Sequence, residues 1–302
     1  SVGSCDNLLL ATYLSMKSKT IVAPAMDLDM HAHPTVVRNL AQLEKDGVGI
    51  IPAESGELAS GLEGTGRMAE PETILESIYD FFTSKLDPII NGKKVLITAG
   101  PTHEAIDPVR FIGNHSSGKM GYALAKQLLD EGAEVILVSG PTKLRLEDPK
   151  LTIINISSAQ QMLENVQEHW ATCDYGFFAA AVADYRPADV AQEKIKKTEG
   201  NLTIKLTKNP DILHWAGTNK AKQIVVGFAL ETSNLEVNAK NKLDKKNLNF
   251  IVMNTLQDEG AGFGHDTNKI GILDDRNNVE SFELKSKDEV ARDIITYLKK
   301  YI

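Results

Sequence analysis

The residues best suited to chemistry lie in a segment of small residues near the middle of the chain. Gly113-Asn-His-Ser-Ser-Gly-Lys119 matches the first seven positions of a P-loop. The backbone N–H groups of Ser116, Ser117 and Gly118 are expected at the start of a helix, where unpaired donors and the helix dipole favour an anionic ligand. Met120 stands where a P-loop has the Ser or Thr that holds magnesium, and this disfavours an ordinary P-loop kinase.

A dinucleotide-binding fingerprint fits the same region poorly. It requires G-x-G-x-x-G directly after a strand, whereas Gly100 is followed by Pro101 and the helix starts many residues later. A nucleotide-dependent oxidoreductase would also carry an acidic residue near the end of the second strand, and Val138-Ser-Gly-Pro-Thr142 has none. A glycine cluster that only turns the chain stays open as an alternative.

Cationic side chains form two clusters in a chain whose formal net charge is -8. The first is Lys194-Ile-Lys-Lys197, and the second comprises Lys242, Lys245 and Lys246. Two such clusters facing one cleft would suit a triphosphate, although a solvated basic turn is the usual reading of a lysine run. Asp184 is expected just past the end of a buried strand, where it could line the cleft or cap a helix.

The elements that must position these residues alternate between strands and helices. Such alternation implies parallel strands with right-handed crossovers and helices on both faces, with ligands bound at the carboxyl ends of the strands. A hairpin is indicated by Asp275-Arg-Asn-Asn278 between residues 268–274 and 279–284. The predicted strands are residues 94–99, 134–139, 151–155, 175–180, 223–229 and 250–253, and the predicted helices are 117–131, 158–171, 235–246 and 288–298.

Composition limits the classes of function. With 302 residues, 42% of them hydrophobic and 25% charged, the chain is expected to be a globular protein of two domains. The net negative charge argues against a general nucleic-acid or anionic-membrane binder. Cys5 and Cys173 are far apart, which points to a reducing compartment, and the spacing of His31 and His33 does not favour a zinc site. With no long apolar run and no signal-peptide pattern, a cytoplasmic location is expected.

Five motifs in order carry a specific resemblance to bacterial phosphopantothenate–cysteine ligase. It covers the whole second part of the chain. The motifs are Asp107-Pro-Val-Arg-Phe-Ile-Gly-Asn-His-Ser-Ser-Gly-Lys-Met-Gly121, Ala181-Val-Ala-Asp-Tyr185, Lys194-Ile-Lys-Lys197, Lys208-Asn-Pro-Asp-Ile212 and Val226-Gly-Phe-Ala229.

The resemblance implies a reaction in which CTP activates the carboxylate of 4'-phosphopantothenate as an acyl-cytidylate and the amine of L-cysteine then displaces CMP. It implies that Lys194 contacts the phosphates, that the amide of Asn114 acts on the acyl-cytidylate, and that Mg²⁺ neutralises the remaining charge through ligands the sequence does not indicate. The implied CTP site comprises Phe178, Ala179, Ala180, Asp184, Lys194, Pro210, Asp211, Ile212, Leu213, Phe228, Lys242 and Lys246. The implied acid-substrate site comprises Arg110, Ser116, Ser117, Gly118 and Lys119.

Two motifs in the first part resemble the flavin-dependent decarboxylases that act on phosphopantothenoylcysteine. Pro24-Ala-Met-Asp-Leu-Asp-Met30 resembles their substrate-binding stretch, and the glycine-rich residues 56–71 resemble their substrate clamp. Asp27 stands where many members have Asn, and Ser60 stands at the position of a proton-donating Cys, a much stronger acid than a hydroxyl. A mobile surface loop is the alternative. The implied substrate contacts are Met26, Asp27, Met30, Gly66, Arg67 and Met68.

The first part is expected to lack the front of its domain. The sequence starts at Ser1, close to a helix at residues 7–14, and only one further strand, residues 20–25, precedes the clamp. FMN, the family's cofactor, is therefore not expected to bind tightly, and no decarboxylation by this chain is expected. The family's catalytic histidine is expected in the absent part, and neither His31 nor His33 is expected to replace it.

The sequence thus predicts an α/β fold with a doubly wound Rossmann-like ligase domain, preceded by a partial flavodoxin-like flavoprotein domain. The boundary is placed after residue 88, at a polar turn that contains Pro88 and Asn91-Gly92. Small-molecule substrates are the expected partners, and the family suggests dimers of the ligase part. A non-catalytic nucleotide- or flavin-binding module remains the alternative, and such a module would bind CTP without releasing pyrophosphate.

Overall fold

The computed structural model describes residues 2–83, 86–197, 201–231, 235–255 and 266–302. The chain divides into two compact units, Ser1–Leu86 and Asp87–Ile302, here called the first and second units. None of the helices in the described ranges has the length and apolar character that a membrane crossing requires.

The first unit is a small α/β assembly. β1 and β2 form a parallel pair, and β3 and β4 form an antiparallel pair. The strand expected at residues 20–25 is only two residues long, because Pro24 has no N–H to continue the ladder. The sequence predicts a helix from about residue 71 to residue 86, and residues 84–85 of that range lie outside the described residues. The elements are α1 (Leu8–Ser15), β1 (Ile21–Val22), α2 (Leu28–Ala32), α3 (Pro34–Lys45), β2 (Gly49–Ile50), β3 (Glu54–Glu57), β4 (Glu63–Arg67) and α4 (Pro71–Thr83).

The second unit is built on an eight-stranded sheet with the order β17-β16-β14-β13-β10-β5-β8-β9. Six neighbouring strands, from β9 to β14, are parallel, and β16 and β17 add an antiparallel edge. The strands of the unit are β5 (Lys94–Ala99), β6 (His103–Ala105), β7 (Phe111–Gly113), β8 (Glu134–Ser139), β9 (Leu151–Asn155), β10 (Tyr175–Phe178), β11 (Tyr185–Pro187), β12 (Leu206–Lys208), β13 (Ile224–Glu231), β14 (Phe250–Thr255), β15 (Thr267–Asn268), β16 (Gly271–Asp274), β17 (Val279–Ser281) and β18 (Lys285–Ser286).

Helices cover both faces of this sheet, which confirms the predicted doubly wound Rossmann-like fold. One hydrophobic cluster joins the sheet to α5 and α9 through residues such as Leu124 and Ile294, and the other joins it to α6, α7 and α8 through Met162, Leu213 and Leu243. Both clusters are almost free of exposed surface. The helices are α5 (Lys119–Asp130), α6 (Ala159–Trp170), α7 (Ile212–Thr218), α8 (Leu235–Lys245) and α9 (Lys287–Tyr301).

The segment that was expected to be a long loop after β5 contains a small hairpin instead. β6 and β7 pair antiparallel, and the rings of His103 and Phe111 stack with their centroids 3.7 Å apart. Strands of three residues are too short to show a periodic pattern, so the sequence gives no signal for them. The hairpin connecting β16 and β17 was predicted and is present, with shorter strands than expected.

Candidate active site

The candidate site lies at the centre of the large sheet, where the strand order reverses. The chain runs from β5 by way of α5 to β8 on one side, whereas β10 leads to β13 on the other, so the loops after β5 and β10 separate and leave a crevice. These loops are tied together at their start: the N–H of Ala181 donates to the carbonyl of Gly100 at 2.9 Å, and that of Thr102 donates to the carbonyl of Ala181 at 3.3 Å.

One cavity of the second unit has a volume of about 360 Å³ and is here called the Asn114 cavity. Gly118 is the N-cap of α5 with φ of 78°, a left-handed conformation that only glycine adopts without strain. Because Ser116, Ser117 and Gly118 line the cavity, it lies at the positive end of the α5 dipole. Lys119 and Lys287 line it as well.

Electrostatics at this cavity favour an anion. Burial and the neighbouring Lys119 lower the pKa of Lys287, while Asp266 opposes that shift. Lys119 and Asp266 form an ion pair in which the aspartate is largely exposed. Two lysines close enough to repel each other, beside a helix N-terminus, form a region of positive potential inside the crevice.

Asn114 lies at the wall of the same cavity. Its side-chain Nδ2 donates to the carbonyl oxygens of Ala181 at 3.2 Å and Val182 at 3.1 Å. The amide therefore joins the loop before α5 to the loop after β10. In this arrangement the amide hydrogens are directed at backbone acceptors, so a bound ligand must compete with these carbonyls for an Asn114 hydrogen bond.

The second cavity, of 450 Å³, is here called the Asp184 cavity. Asp184 lines it, opposite the loop that leads into α7. Asp211 begins that helix by accepting a hydrogen bond from the N–H of His214, and it pairs with Lys246 at 3.0 Å. Burial raises the pKa of Asp211, but the hydrogen bonds from His214 and Lys246 outweigh burial and lower it.

The two cavities adjoin. They share Ala180, Val182, Phe228 and Lys242 as lining residues. Lys242 comes from α8, and its Nζ donates to the carbonyl of Phe228 at 2.7 Å, at the carboxyl end of β13. A cation therefore lies at the junction, within reach of ligands in either cavity.

Most of the residues predicted for a nucleotide site are brought together here. Ile212 is buried as the first residue of α7, next to its cavity-lining neighbours. The others, apart from Lys194, line one cavity or both: Phe178, Ala179, Ala180, Asp184, Pro210, Asp211, Leu213, Phe228, Lys242 and Lys246.

Arg110 and Lys194 line neither cavity, and the two are close to each other instead. Lys194 is exposed on the segment between β11 and β12. The guanidinium of Arg110 binds the carboxylate of Asp107 and the carbonyl of Ile195, the residue after Lys194. No pattern in the sequence indicates this contact, because Arg110 and Ile195 are 85 residues apart.

Three polar side chains that line the Asn114 cavity were not predicted: Asn254, Asn268 and Lys287. Asn254 lies near the end of β14, and its Nδ2 donates to Oδ1 of the buried Asn268 at 3.4 Å. A signal for Asn254 was available, since polar residues that follow a buried parallel strand face the ligand edge of the sheet. Lys287 had no comparable signal.

The first unit has a cavity of its own, of 340 Å³, here called the clamp cavity. Ser60 donates from Oγ to Oδ1 of Asp27 at 3.1 Å, although the two residues are 33 positions apart. The same oxygen accepts the N–H of Leu28 at 2.7 Å, as the N-cap of α2. Met26, Gly66, Arg67 and Met68 line the cavity too, whereas Met30 is exposed and does not.

Both units match known protein families. Residues 90–301 match the family described as DNA/pantothenate metabolism flavoprotein C-terminal domain, and residues 1–83 match the family described as Flavoprotein. Among the described residues, no group of three or more His, Cys, Asp or Glu side chains could hold a metal ion.

Similar proteins cover nearly the whole chain. A cysteine/cysteine sulfinic acid decarboxylase from an unknown prokaryotic organism is 50% identical over 298 residues, which are 98% of this chain and 83% of that protein. The coenzyme A biosynthesis bifunctional protein CoaBC of Bacillus subtilis (strain 168) is 42% identical over 293 residues, 97% of this chain and 72% of that protein.

A solved structure extends the similarity to the fold. The crystal structure of the C-terminal domain of a coenzyme A biosynthesis bifunctional protein CoaBC is 42% identical, has a TM-score of 0.61, and covers 71% of this chain and 97% of that chain. The resemblance indicated by the sequence motifs is thereby confirmed. The chain belongs to the CoaBC family of bifunctional coenzyme A biosynthesis proteins.

Proposed function

We propose that the second unit joins 4'-phosphopantothenate to L-cysteine at the expense of CTP. The observation that carries this proposal is the junction of the two cavities at Lys242. A triphosphate in the Asp184 cavity and an anionic acid in the Asn114 cavity would bring the α-phosphorus and the carboxylate to that junction. Membership in the CoaBC family supports the same pairing of substrates.

The carboxylate must first be activated, because a carboxylate is a poor electrophile. Its oxygen attacks the α-phosphorus of CTP and pyrophosphate leaves, which gives an acyl-cytidylate. The cysteine amine then attacks the carbonyl carbon, an amide bond forms, and CMP departs with the electron pair of the broken C–O bond. Energy from the broken phosphoanhydride thus drives formation of the amide.

Each polar group has a role in this scheme. Lys242 and Lys246 counter the charge of the triphosphate, and Lys194 acts on the phosphates during activation. Asn114 donates an amide hydrogen to the developing negative charge in the second step. Mg²⁺ would neutralise the remaining charge of the triphosphate, and this ion is commonly held by substrate phosphates together with one or two carboxylates.

The direct test is pyrophosphate release with 4'-phosphopantothenate and L-cysteine, measured with CTP and with ATP in turn. We expect CTP to support the reaction at least tenfold better than ATP. Release that needs CTP and the acid, but not cysteine, would identify the acyl-cytidylate step. CTP binding without any pyrophosphate release would instead support a non-catalytic nucleotide-binding module.

We propose, as a second candidate function and against the expectation from the sequence that this chain does not decarboxylate, that the clamp cavity of the first unit binds a cysteine-derived acid for decarboxylation. The Ser60–Asp27 contact is the specific observation that favours it. Asp27 adds a negative charge to the cavity, so a substrate with a free ammonium group would be favoured over one whose amine is acylated. The name of the relative that is 50% identical includes free cysteine as a substrate, which supports this distinction.

The cavity fits this substrate better than it fits the FMN that the family implies. Arg67 is its one basic lining residue, and Arg67 is already paired with Glu70 at 2.5 Å. The FMN phosphate would therefore need residues outside the cavity. Carbon dioxide release should be measured with FMN, using cysteine and phosphopantothenoylcysteine in parallel, for the wild type, Asp27→Asn and Ser60→Cys.

The two variants are expected to change different properties of carbon dioxide release. Asp27→Asn should shift preference towards the acylated substrate, and Ser60→Cys should raise turnover, because a thiol donates a proton far more readily than a hydroxyl. A preference that Asp27→Asn leaves unchanged would exclude Asp27 as the selecting group.

A further inference from the structure

Lys194 is carried on a segment that leaves the body of the second unit. Its base is the antiparallel β11–β12 pair, in which Tyr185 faces Lys208, extended by a hydrogen bond from the N–H of Ala188 to the carbonyl of Lys205. Residues 188–197 are here called the Lys194 arm. Most of the arm is exposed and has no regular secondary structure, so its own sequence does not fix the position of Lys194.

Asp107 is the buried anchor beneath this arm, with only 2% of its surface exposed. Its Oδ1 accepts the N–H groups of Val109 and Arg110, both at 2.9 Å. Its Oδ2 accepts Nε of Arg110 at 3.0 Å and the N–H of Ile195 at 3.1 Å. Nη2 of Arg110 also donates to Oδ2, so five donors from three residues hold the carboxylate in one orientation, and one of them belongs to the arm.

Arg110 completes the attachment by binding the carbonyl of the same residue, in the next peptide group. Its Nη2 donates to the carbonyl of Ile195 at 2.9 Å, so both backbone polar groups of Ile195 are bound by one Asp–Arg pair. A further bond runs from the N–H of Ala191 to the carbonyl of Ile106 at 3.0 Å. The arm is thus fastened at two points to the turn of the β6–β7 hairpin.

We propose that Asp107 and Arg110 are positioning residues that lock the Lys194 arm through Ile195 and thereby place Lys194 for acyl-cytidylate formation. The proposal rests on the proposed function for the role of Lys194, but the lock itself does not. The peptide N–H bound by Asp107 belongs to the plane that also contains the Lys194 carbonyl, so the backbone of Lys194 is fixed directly. A long lysine side chain on an unattached loop would sample many positions, and small displacements of an acting group lower a rate strongly.

Arg110→Lys is the best variant for testing the lock. Lysine keeps the positive charge but lacks the fork that reaches Asp107 and the Ile195 carbonyl together. Arg145→Lys is the matched control, because Arg145 is an exposed arginine whose Nη1 donates to the carbonyl of the adjacent Leu144 at 3.0 Å. Asp107→Asn serves as a second variant, provided that its circular dichroism spectrum remains that of the wild type.

Three measurements are needed on the full chain: the rate of acyl-cytidylate formation in a single turnover, the dissociation constant for CTP, and hydrogen exchange at the Ile195 amide. For Arg110→Lys we expect acyl-cytidylate formation to fall by about tenfold to 100-fold. CTP affinity should change by less than about threefold, since Lys242 and Lys246 are untouched, and the Ile195 amide should exchange faster. Arg145→Lys should match the wild type in all three.

A double variant separates positioning from direct contact with substrate. If Arg110 acts through Lys194, then Arg110→Lys combined with Lys194→Ala should be no slower than Lys194→Ala alone. Additive losses, or a slower reaction with normal exchange at Ile195, would show that Arg110 acts on the substrate and would overturn the proposal. Faster exchange with a normal rate would overturn it too. Failure of the wild type to form any acyl-cytidylate would instead reject the proposed function, and the exchange data would still report on the lock.

Discussion

The clamp cavity of the first unit and the paired cavities of the second unit are both formed by loops next to strands, yet their supports differ. In the second unit, β5 and β8 are six residues long and are interior strands of an eight-stranded sheet with helices on both faces. In the first unit, β1 and β2 are two residues long, and only Val48, Ile51, Leu58 and Ala69 are buried apolar residues among those described.

The difference shows what each site requires of its surroundings. A loop backed by a packed sheet cannot move without disturbing many contacts, so its polar groups stay in place before a ligand arrives. A loop backed by few buried residues has local stability that depends on short-range contacts, such as that between Ser60 and Asp27. Matched substitutions in the two units should therefore have unequal effects on stability and on the sites.

Two glycines give the sharpest form of this comparison. A Cβ atom at Gly121 would lie 2.5 Å from Cβ of Ala99, between α5 and β5, whereas one at Gly64 would lie 2.6 Å from the end of the Leu28 side chain. Ala99 is fully buried and cannot shift, but Leu28 is half-buried and can rotate. We expect Gly121→Val to destabilise the second unit by about 3 kcal/mol and Gly64→Val to cost about 1 kcal/mol or less in the first.

Urea unfolding followed by tryptophan fluorescence is the measurement for this pair. Trp170 and Trp215, the two tryptophans of the chain, both belong to the second unit, so their signal reports on that unit. The midpoint should fall clearly for Gly121→Val and stay unchanged for Gly64→Val. Lys126→Ala, on the exposed side of α5, is the control and should shift it little. Equal midpoints for Gly121→Val and the wild type would contradict the close packing of α5 on β5.

The same contrast explains which parts could be predicted from sequence. The strands at residues 94–99 and 134–139 were predicted with their observed limits, because a buried parallel strand is a continuous apolar run between polar turns. The strand at residues 151–155 was also predicted with its observed limits, although it is a half-buried edge strand. Asp184, Lys242 and Lys246 could be assigned to one site, since each lies near a strand end or carries a family motif.

Other features depend on contacts that no local pattern contains. The β6–β7 hairpin and the lock between Arg110 and Ile195 arise from tertiary pairing over long separations. The dinucleotide fingerprint does not fit this chain for a related reason: Gly100 has φ of 75° in the turn after β5, while Gly121 allows the close approach of the helix, and the hairpin is inserted between them. Roles that usually lie within six residues are here separated by about twenty.

The ion pair in the Asp184 cavity gives the next largest expected effect. Lys246→Ala removes a cation from the cavity and leaves Asp211 unpaired beside the triphosphate, so the KM for CTP should rise by about tenfold to 100-fold. Adding Asp211→Asn should recover part of this loss, because the remaining negative charge is then removed.

The matched change in the first unit is Glu70→Gln, which breaks the pair with Arg67. Both side chains of that pair are about half exposed, and such pairs contribute about 0.5 kcal/mol or less to stability. Steady-state kinetics with varied CTP test this comparison of the two ion pairs. They should be measured for Lys246→Ala, for Lys246→Ala combined with Asp211→Asn, and for Glu70→Gln. A double variant of Lys246 and Asp211 that is worse than Lys246→Ala alone would argue that Asp211 itself binds the nucleotide or its metal.

Asp274 should give a smaller effect with a defined pH dependence. Burial raises its pKa, but hydrogen bonds from Asn278, Tyr297 and the N–H of Arg276 outweigh burial, so the net pKa is lowered. A carboxyl with a lowered folded-state pKa stabilises the fold above its unfolded-state pKa, and this contribution is lost as pH falls towards the folded-state value. Asp274→Asn should therefore cost about 2 kcal/mol at pH 7.

The difference between Asp274→Asn and the wild type is the quantity to follow. It should stay constant from pH 7 down to about 5 and shrink below about 4, where the unfolded chain binds a proton. Urea midpoints from tryptophan fluorescence at pH 7, 5 and 3.5 measure it. A difference that grows on acidification would mean that the folded-state pKa of Asp274 is raised instead.

The two cysteines test the comparison without any substitution. Cys173 is buried in the second unit beneath the sheet, its Sγ donates to the carbonyl of His169 at 3.4 Å, and burial raises its pKa to about 11. At pH 8 only about one Cys173 thiol in a thousand would be ionised, and alkylation requires the thiolate. Cys5 is exposed in the first unit. Iodoacetamide should therefore modify one thiol per chain quickly and the second only after unfolding.

Modification of Cys173 reports on opening of the second unit. Gly121→Val should therefore lower the urea concentration at which Cys173 is modified, while Gly64→Val should leave that concentration unchanged. Rapid modification of two thiols in the native wild type would show that the second unit is not the more tightly closed of the two.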